Sequence, residues 1–372
     1  MKHILMATGA LALSLAPLHA QNFDDPEEFA KQQEQLAATP MGPEGEPWLQ
    51  YLNDEMVETA DLGIEGPATV CFSNAGVNNP WRVVGYTNMT EEVANHASIA
   101  EFIHVDAEGS DDKQIADIDD LLAGGDCDVM IVSPNTTAAL TPAVERACEA
   151  MPVIVFDRGV NTSCPVTFVH PVGGYGFGIQ GAEFIADNVD EGGNVLMLRI
   201  LPGVDVLETR YSAGRRILDE AGLNIVGAEF TDGDNAKTKS IVEDYLMRGD
   251  IDAVWMDAGA TAVAAIEAFE DSGYDIPVFV GEDQQDFLRK WQDEGLTAIA
   301  PTYPTFQWRT AVIAAARVIE GEALPGPEWV LPQPAITQDN LDSYVNPAMP
   351  PLHYAMCGCE DMANYPGAWG GN

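Results

Sequence analysis

Short apolar runs alternate with amphipathic stretches over most of the chain. A first set comprises the runs ATVCF, AEFIHVDA, CDVMIVSP, PVIVFD and PVTFVH. A second set comprises NVLMLRI, NIVGAEF, DAVWMDA, IPVFVGE and LTAIAPTY. The stretches between them have the spacing of helices with one apolar face, over residues 113–123, 138–150, 179–188, 238–247 and 260–272. Short runs that are rich in Val and Ile and apolar throughout are typical of parallel strands buried on both faces.

Strands that alternate with helices in two successive sets predict an α/β protein with two doubly wound parallel-sheet lobes. We expect the chain to leave the first set near His170 and Pro171, just before the glycine-rich stretch GGYGFG. This stretch lacks the GxGxxG spacing of a dinucleotide site, and the motifs GxxxxGK[ST], GxSxG and HExxH do not occur. The sequence therefore predicts neither a cofactor nor a familiar catalytic motif.

The N-terminal residues have the pattern of a secretory signal peptide. Lys2 precedes an apolar stretch over residues 4–18, and Ala20 stands before the expected cleavage site at Gln21. No Cys follows that site, so a lipid anchor is not indicated. A signal peptide over residues 1–20 predicts a soluble exported protein, most simply a periplasmic one.

The polar residues that follow, 21–66, are interpreted as an N-terminal extension. Their pattern from 22 to 65 favours helix, and the stretch Asp25-Pro26-Glu27-Glu28 is a good helix start. The extension precedes the first predicted strand, so it adds to the α/β pattern without interrupting it.

The chain of 372 residues is strongly acidic, with 59 Asp and Glu against 17 Lys and Arg and a formal net charge of -42. Phosphate binding needs clustered basic residues, so a nucleic-acid partner is excluded. The acidic residues are spread along the whole chain, which indicates a solvated acidic surface.

Six cysteines raise the question of disulfides, which an exported protein is able to form. Cys148 and Cys164 flank the apolar run MPVIVFD, and we predict a bridge that joins the two ends of this strand. Cys357 and Cys359 lie close to His353, but no fourth metal ligand is evident. We therefore predict no metal site there, and leave open whether these two thiols are bonded or free.

Polar and aromatic residues follow nearly every predicted strand, where open parallel sheets bind their ligands. They include Asn79, Trp81, Asn135, Asp157, Arg158, Arg210, Asp257, Glu282, Asp283 and Tyr303. This mixture of carboxylates, guanidinium groups and amides, without a recurring nucleophile, suits the hydroxyls of a sugar or polyol. Trp81 would supply a flat wall for the apolar face of a sugar ring.

Simpler interpretations of the same residues stay open. Trp81 would also serve as a packing residue under the first helix. Asp157 and Arg158 would also fit a surface ion pair of little energetic value. Asp257 and Asn135 are both suited to be helix N-caps.

Several motifs in this order resemble the type I periplasmic binding proteins for sugars, with ribose-binding proteins as the nearest group. They are NNPW after the first strand, VSPN after the third, PVIVFDRG at the fourth and VGED late in the second set. The resemblance covers roughly residues 67–341. It implies two lobes joined by three crossings near His170, Thr302 and Leu331. The implied bounds are 67–170 plus 302–331 for lobe one, 171–301 plus 332–345 for lobe two and 346–372 for a C-terminal extension.

The resemblance also implies which residues bind the ligand. They are Asn79, Trp81, Arg82, Asp157, Arg158, Arg210, Asp257, Asp283 and Tyr303. Several positions depart from the family pattern. Arg82 stands where a second aromatic residue is frequent, Glu282 where an apolar residue is usual and Tyr303 where Gln is frequent. Asp257 falls near the family's Asn, and Arg210 lies four residues before Gly214 where three is usual.

The function implied by this resemblance is capture of a monosaccharide or similar polyol between the lobes. The implied partner is the permease of an ABC importer in the inner membrane, and we expect a monomer without catalytic activity. Two alternatives stay open. One is a ligand sensor for a membrane receptor, and the other is an exported glycoside-cleaving enzyme with Asp157, Asp257 and Asp283 as its acids.

Overall fold

The computed structural model describes residues 23–64 and 66–372. The predicted signal peptide over residues 1–20 lies outside this part of the chain. No helix within the described ranges is both long enough and apolar enough to span a membrane.

The N-terminal extension begins with helix α1 (Pro26–Ala37), as its start signal predicts. The side chain of Asp25 accepts hydrogen bonds from the backbone N–H groups of Glu27 at 2.9 Å and Glu28 at 3.1 Å. The prediction of helix over the whole of 22–65 was wrong. Several prolines follow α1, and proline interrupts a helix because it lacks the N–H donor.

The first sheet is six-stranded and entirely parallel. Its strands are β2 (Ala68–Asn74), β3 (Ile99–Asp106), β4 (Val129–Ser133), β5 (Val153–Phe156), β6 (Thr167–Pro171) and β13 (Glu328–Leu331). Their spatial order is β13-β6-β5-β4-β2-β3. The sequence pattern missed β13, a four-residue strand that joins the edge beside β6 from far along the chain.

The second sheet is five-stranded and also parallel. Its strands are β7 (Asn194–Arg199), β8 (Asn224–Phe230), β9 (Ala253–Met256), β10 (Val278–Val280) and β11 (Ala298–Ile299), in the order β11-β10-β9-β7-β8. The run LTAIAPTY forms only the two-residue β11, because Pro301 and Pro304 cannot donate to a strand ladder. Two parallel sheets confirm the predicted α/β fold. A small antiparallel pair, β1 (Met56–Val57) with β12 (Leu324–Pro325), lies outside both sheets.

Helices cover the sheets at the expected places. They are α2 (Pro80–Val93), α3 (Asp111–Gly124), α4 (Thr137–Ala150), α5 (Gly174–Asn188), α6 (Asp205–Glu220), α7 (Asn235–Leu246), α8 (Ala262–Ser272), α9 (Gln285–Glu294) and α10 (Gln307–Glu320). Helix α5 begins earlier than predicted and includes most of the stretch GGYGFG. A Cβ atom at Gly178 would lie only 2.2 Å from the backbone oxygen of Arg210. Glycine therefore lets α5 approach α6 closely.

The chain passes between the sheets three times. It leaves the first sheet after β6, returns to it after β11 and leaves it again after β13, where Ile336 bridges to Ala300. The lobe bounds drawn from the sequence stay a prediction.

All six cysteines are paired. The predicted bridge between Cys148 and Cys164 is present, and Cys71 of β2 is bonded to Cys127 just before β4. Cys357 and Cys359 are bonded to each other, which is one of the outcomes left open by the sequence.

Candidate ligand-binding cavity

A cavity of about 370 Å³ lies between the carboxyl ends of the two sheets. Seven of the nine predicted residues line it, namely Asn79, Trp81, Arg82, Asp157, Arg158, Arg210 and Tyr303. The second sheet adds an aliphatic wall, formed by Ile200, Leu201, Val204, Val206 and Leu207. The strand ends of a parallel sheet thus bring the predicted residues together. That they bind a ligand stays a prediction.

A buried ion pair forms the floor of the cavity on the side of the first sheet. Nη2 of Arg82 lies 2.8 Å from Oδ2 of Asp157, and each side chain is 4% exposed. Nη1 of Arg82 donates to Oδ1 of Asn74 at 3.2 Å and to Oγ of Ser133 at 3.3 Å. Burial lowers the pKa of Arg82 to about 10, so the guanidinium group stays charged at neutral pH. Arg82 therefore anchors Asp157 at the strand end.

Asp157 itself has an unusual backbone conformation. Its φ of 68° lies in the left-handed region, which costs a non-glycine residue roughly 1–2 kcal/mol. The hydroxyl of Tyr303 donates to the backbone oxygen of Asp157 at 3.2 Å and approaches Oδ1 at 3.5 Å. Burial raises the pKa of Tyr303 well above its usual value, so this hydroxyl stays a donor. The strained turn is therefore held from both sides.

Arg158 reaches the cavity beside Asp157. Its Nε lies 4.0 Å from Oδ2 of Asp157, and its Nη1 donates to the backbone oxygen of Asn135. The interpretation as a surface ion pair was wrong, because Asp157 is only 7% exposed. Asn135 is not a helix N-cap either: Thr136 occupies that position, and the amide of Asn135 donates to Oδ1 of Asp111 at 2.8 Å.

Trp81 both packs and lines the cavity. It lies at the start of α2, where the side chain of Asn79 caps the helix by accepting the backbone N–H of Arg82 at 3.0 Å. The indole Nε1 donates to the backbone oxygen of Tyr303 at 2.7 Å, and the ring lies edge-on to Trp308. These contacts fix the indole at the cavity wall and reconcile the packing role with the predicted binding role.

Arg210 enters the cavity from α6, on the side of the second sheet. Its guanidinium group lies 3.9 Å from the ring centre of Phe177, and Nη1 donates to the backbone oxygen of Asp257 at 2.6 Å. Nη1 also lies 3.5 Å from Oε1 of Glu282. The predicted ligand-binding set included Asp283 and left out Glu282, but Glu282, and not its neighbour, lines the cavity. Burial raises the pKa of Glu282.

The structure does not bring Asp257 to the cavity surface. Its side chain is fully buried, and Oδ1 accepts the backbone N–H of Ile200 at 2.7 Å. Burial raises the pKa of Asp257 to about 7, since its closest guanidinium nitrogen is Nε of Arg199 at 3.8 Å. Asp257 is not a helix N-cap, because Gly259, the first residue of the turn before α8, donates its N–H to Glu282 at 3.1 Å.

Asp283 is likewise behind the wall. It is fully buried, and its Oδ2 accepts the backbone N–H of Met356 at 2.7 Å. Burial raises the pKa of Asp283 to about 7. Glu282 thus takes the cavity position, whereas Asp283 holds the C-terminal residues.

A family model described as a periplasmic binding protein domain matches residues 70–323. The chain belongs to the type I periplasmic binding protein family. It is 30% identical over 270 residues to the ribose import binding protein of Bacillus subtilis (strain 168). The matched region covers 72% of this chain and 87% of that protein. The resemblance to the sugar-binding members of the family is thereby confirmed.

Solved structures agree with this binding-protein fold. An ABC transporter solute binding protein from Thermobispora bispora DSM 43833 superposes with a TM-score of 0.68 at 22% identity, over 80% of this chain and 95% of that one. Another, from Bacillus halodurans C-125 with bound myo-inositol, gives 0.67 at 23% identity, over 76% of this chain and 98% of that one.

The C-terminal segment of this binding protein, residues 346–372, contacts both sheets' helices and reaches the cavity. Tyr354 lines the cavity and donates its hydroxyl to Oε2 of Glu282 at 3.3 Å. On the other side, the amide of Asn88 in α2 donates to the backbone oxygen of Cys357 at 2.8 Å, and the indole of Trp369 donates back to Asn88 at 2.8 Å. No signal near Tyr354 in the sequence points to this role, because the contact is made entirely by long-range packing.

Proposed function

We propose that this binding protein captures one monosaccharide or similar polyol in the cavity and delivers it to the permease of an ABC importer. The observation that carries the proposal is the set of charged and aromatic side chains that converge between two sheets at their carboxyl ends. The volume of about 370 Å³ is at the small end for ligand pockets, as a single sugar ring requires. Relatives named for ribose import and a neighbour with bound myo-inositol support the same class of ligand.

Most of the predicted residues, together with Glu282, have a role in this proposal. Asp157 and Glu282 hold the arginines in place, while Arg158 and Arg210 donate to ring oxygens from opposite walls. The indole of Trp81 covers an apolar face of the ring. Asp257 and Asp283 act behind the wall, where they hold the backbone of the second sheet and of the C-terminal segment.

We further propose that residues 67–170 plus 302–331 and residues 171–301 plus 332–345 are lobes that close on the ligand by a hinge motion. A ligand stabilises the closed form only through the contacts that it gains there. Cleavage after Ala20 and a monomeric state in the periplasm complete the proposal, and N-terminal sequencing and light scattering of the exported protein test them.

A thermal-shift screen of the purified mature protein tests the proposed function. Ribose, other aldoses, ketoses, myo-inositol and linear polyols are supplied singly, and a ligand at 100 times its dissociation constant adds about 2.7 kcal/mol of stability. We expect a clear shift with at least one of them and no chemical conversion of it.

A matched pair of variants locates the binding. Arg158→Ala removes a cavity arginine, whereas Arg146→Ala removes an exposed arginine that pairs with Asp119 at 2.8 Å. The shift should be lost in the first variant and kept in the second. A folded protein that responds to no member of the panel contradicts the proposal.

A further inference from the structure

The inner carboxylate oxygens of the cavity already face donor groups of the protein. Oδ2 of Asp157 accepts from Arg82, and its Oδ1 faces the hydroxyl of Tyr303 at 3.5 Å. Oε2 of Glu282 accepts from the backbone N–H of Gly259 at 3.1 Å and from Tyr354 at 3.3 Å, while Oε1 faces Arg210. A ligand hydroxyl that donates a proton therefore shares these oxygens with protein donors and has only the remaining lone pairs to donate to.

Two nitrogen donors of the cavity arginines, by contrast, lack a hydrogen-bond partner. Among the described residues, Nε of Arg158 and Nε of Arg210 are buried and have no hydrogen-bond partner. Arg210 is only 3% exposed, so water does not readily replace that partner. The two arginines line one cavity from opposite walls.

More guanidinium groups than carboxylates line the inner cavity. Three guanidinium groups line it, from Arg82, Arg158 and Arg210, against the carboxylates of Asp157 and Glu282. The third lining carboxylate, Asp232, is exposed and pairs with Lys237 at 2.6 Å. The chain has only 17 basic residues in all, so three in one small cavity is a marked concentration.

We infer that the ligand is a monosaccharide acid, an aldonate or a uronate, whose carboxylate accepts hydrogen bonds from Arg158 and Arg210. A carboxylate only accepts, and two guanidinium groups suit it by geometry and by charge. The acidic surface of the protein does not oppose this, since salt screens charges beyond about 8 Å at physiological ionic strength. The aliphatic wall from Ile200 to Leu207 faces the less polar side of the ring. This inference rests on the proposed function and narrows its substrate class.

Calorimetric titration with matched pairs tests the inference. The pairs are galactose with galacturonate, glucose with glucuronate and gluconate, and ribose with ribonate, and ribose 5-phosphate is the additional anion. We expect one acid to bind at least about tenfold more tightly than its neutral partner, as charge-assisted hydrogen bonds permit. Arg158→Gln should remove most of that preference, whereas Arg146→Gln should leave it unchanged.

The outcomes separate this inference from the proposed function. Tight binding of a neutral sugar with no preference for any acid overturns the inference and leaves the proposed function standing. Tighter binding of the phosphorylated sugar also overturns it, since the anionic group would then be a phosphate. No binding by any member of the pairs, with the protein folded, overturns both. An acid preference that survives in Arg158→Gln contradicts the assignment of the carboxylate to this arginine.

Discussion

The two walls of the cavity treat buried carboxyl groups differently. On the side of the first sheet, Asp157 lies 2.8 Å from a guanidinium nitrogen of Arg82. On the side of the second sheet, the closest guanidinium nitrogens lie 3.8 Å from the carboxyl group of Asp257 and 3.5 Å from that of Glu282. All three carboxyl groups are at least nine-tenths buried.

This difference explains why the carboxyl groups of the second wall take a proton readily. A close, hydrogen-bonded partner compensates the cost of burying a charge, whereas a distant one does so only in part. Burial accordingly raises the pKa of Asp257 to about 7 and raises that of Glu282. The same residue type is thus a fixed ion-pair partner in one wall and a group that readily takes a proton in the other.

The units around the two sheets also differ in cross-linking. Two disulfides, Cys71–Cys127 and Cys148–Cys164, lie among the elements of the first sheet. The sequence between residues 171 and 301 contains no cysteine. The wall with the strained Asp157 turn therefore belongs to the unit that the two disulfides cross-link. The wall with Asp257 and Glu282 belongs to the unit without disulfides.

Loss of Arg82 should have the largest effect. Arg82→Met leaves Asp157 buried without its partner, which should cost about 3–5 kcal/mol of unfolding free energy. Urea unfolding measures the loss. Arg158→Met is the matched control, because its Nε lies 4.0 Å from the same carboxylate, and we expect it to cost about 1 kcal/mol or less.

A double variant identifies the cause. Asp157→Asn combined with Arg82→Met removes the buried charge and should recover a large part of the lost stability. A cost for Arg82→Met no greater than that of Arg158→Met would show that the first wall does not depend on this ion pair.

Removal of the two disulfides tests how much they stabilise the unit around the first sheet. In the chain-entropy account, opening the 56-residue separation of Cys71–Cys127 costs roughly 4 kcal/mol and opening the 16-residue separation of Cys148–Cys164 roughly 3 kcal/mol. Paired Cys→Ala variants followed by urea unfolding measure both. Hydrogen exchange should lose protection in the first sheet and keep it in the second, and equal loss in both sheets would contradict the division.

The sequence pattern predicted well those features that depend on local periodicity. Buried strands such as β5 are apolar at every position, so their existence and parallel arrangement followed from composition alone. Residues directly after a strand, such as Asp157 and Arg158, were then assigned to the cavity because parallel strands end at one edge.

The wrong and missed site predictions depend on structural features that the periodicity of the sequence does not reveal. Which of Glu282 and Asp283 faces the cavity depends on the orientation of the last strand residue, and both are acidic in sequence. Asp257 follows a strand, yet it turns inward to the N–H of Ile200. Tyr354 lies in a segment that is hydrogen-bonded to Asp283 and Asn88, which are distant in sequence. No local sequence pattern therefore predicts that Tyr354 lines the cavity.

The second wall should respond to pH through Asp257. Its pKa is raised to about 7 in the folded state, so the folded protein binds the extra proton and the carboxyl contributes stability that is lost as pH rises from about 4 to about 7. Relative to Asp257→Asn, the wild-type protein should lose roughly 2–3 kcal/mol of unfolding free energy between pH 5 and pH 8. Urea unfolding at both pH values measures the difference.

Asp252→Asn is the control for that experiment. Asp252 also accepts a backbone N–H, from Asn194 at 2.7 Å, but its side chain is exposed. The unfolding free energy of the Asp252→Asn variant relative to wild type should hardly change between the two pH values. The raised pKa of Asp283 is present in all of these proteins and therefore cancels. A parallel pH dependence of wild type and Asp257→Asn would mean that Asp257 is charged throughout.

The smallest effect should come from Tyr354→Phe. The variant keeps the ring at the cavity wall and removes the hydroxyl that donates to Glu282 at 3.3 Å, which should cost about 1 kcal/mol of unfolding free energy. Glu282 then keeps Gly259 and Arg210 as its partners, so the second wall would move further toward a neutral carboxyl. Titration of the best ligand on the variant decides whether this matters for binding. An unchanged affinity would mean that Tyr354 acts only as an apolar wall. A weaker affinity would mean that its hydroxyl makes the C-terminal segment part of the polar site.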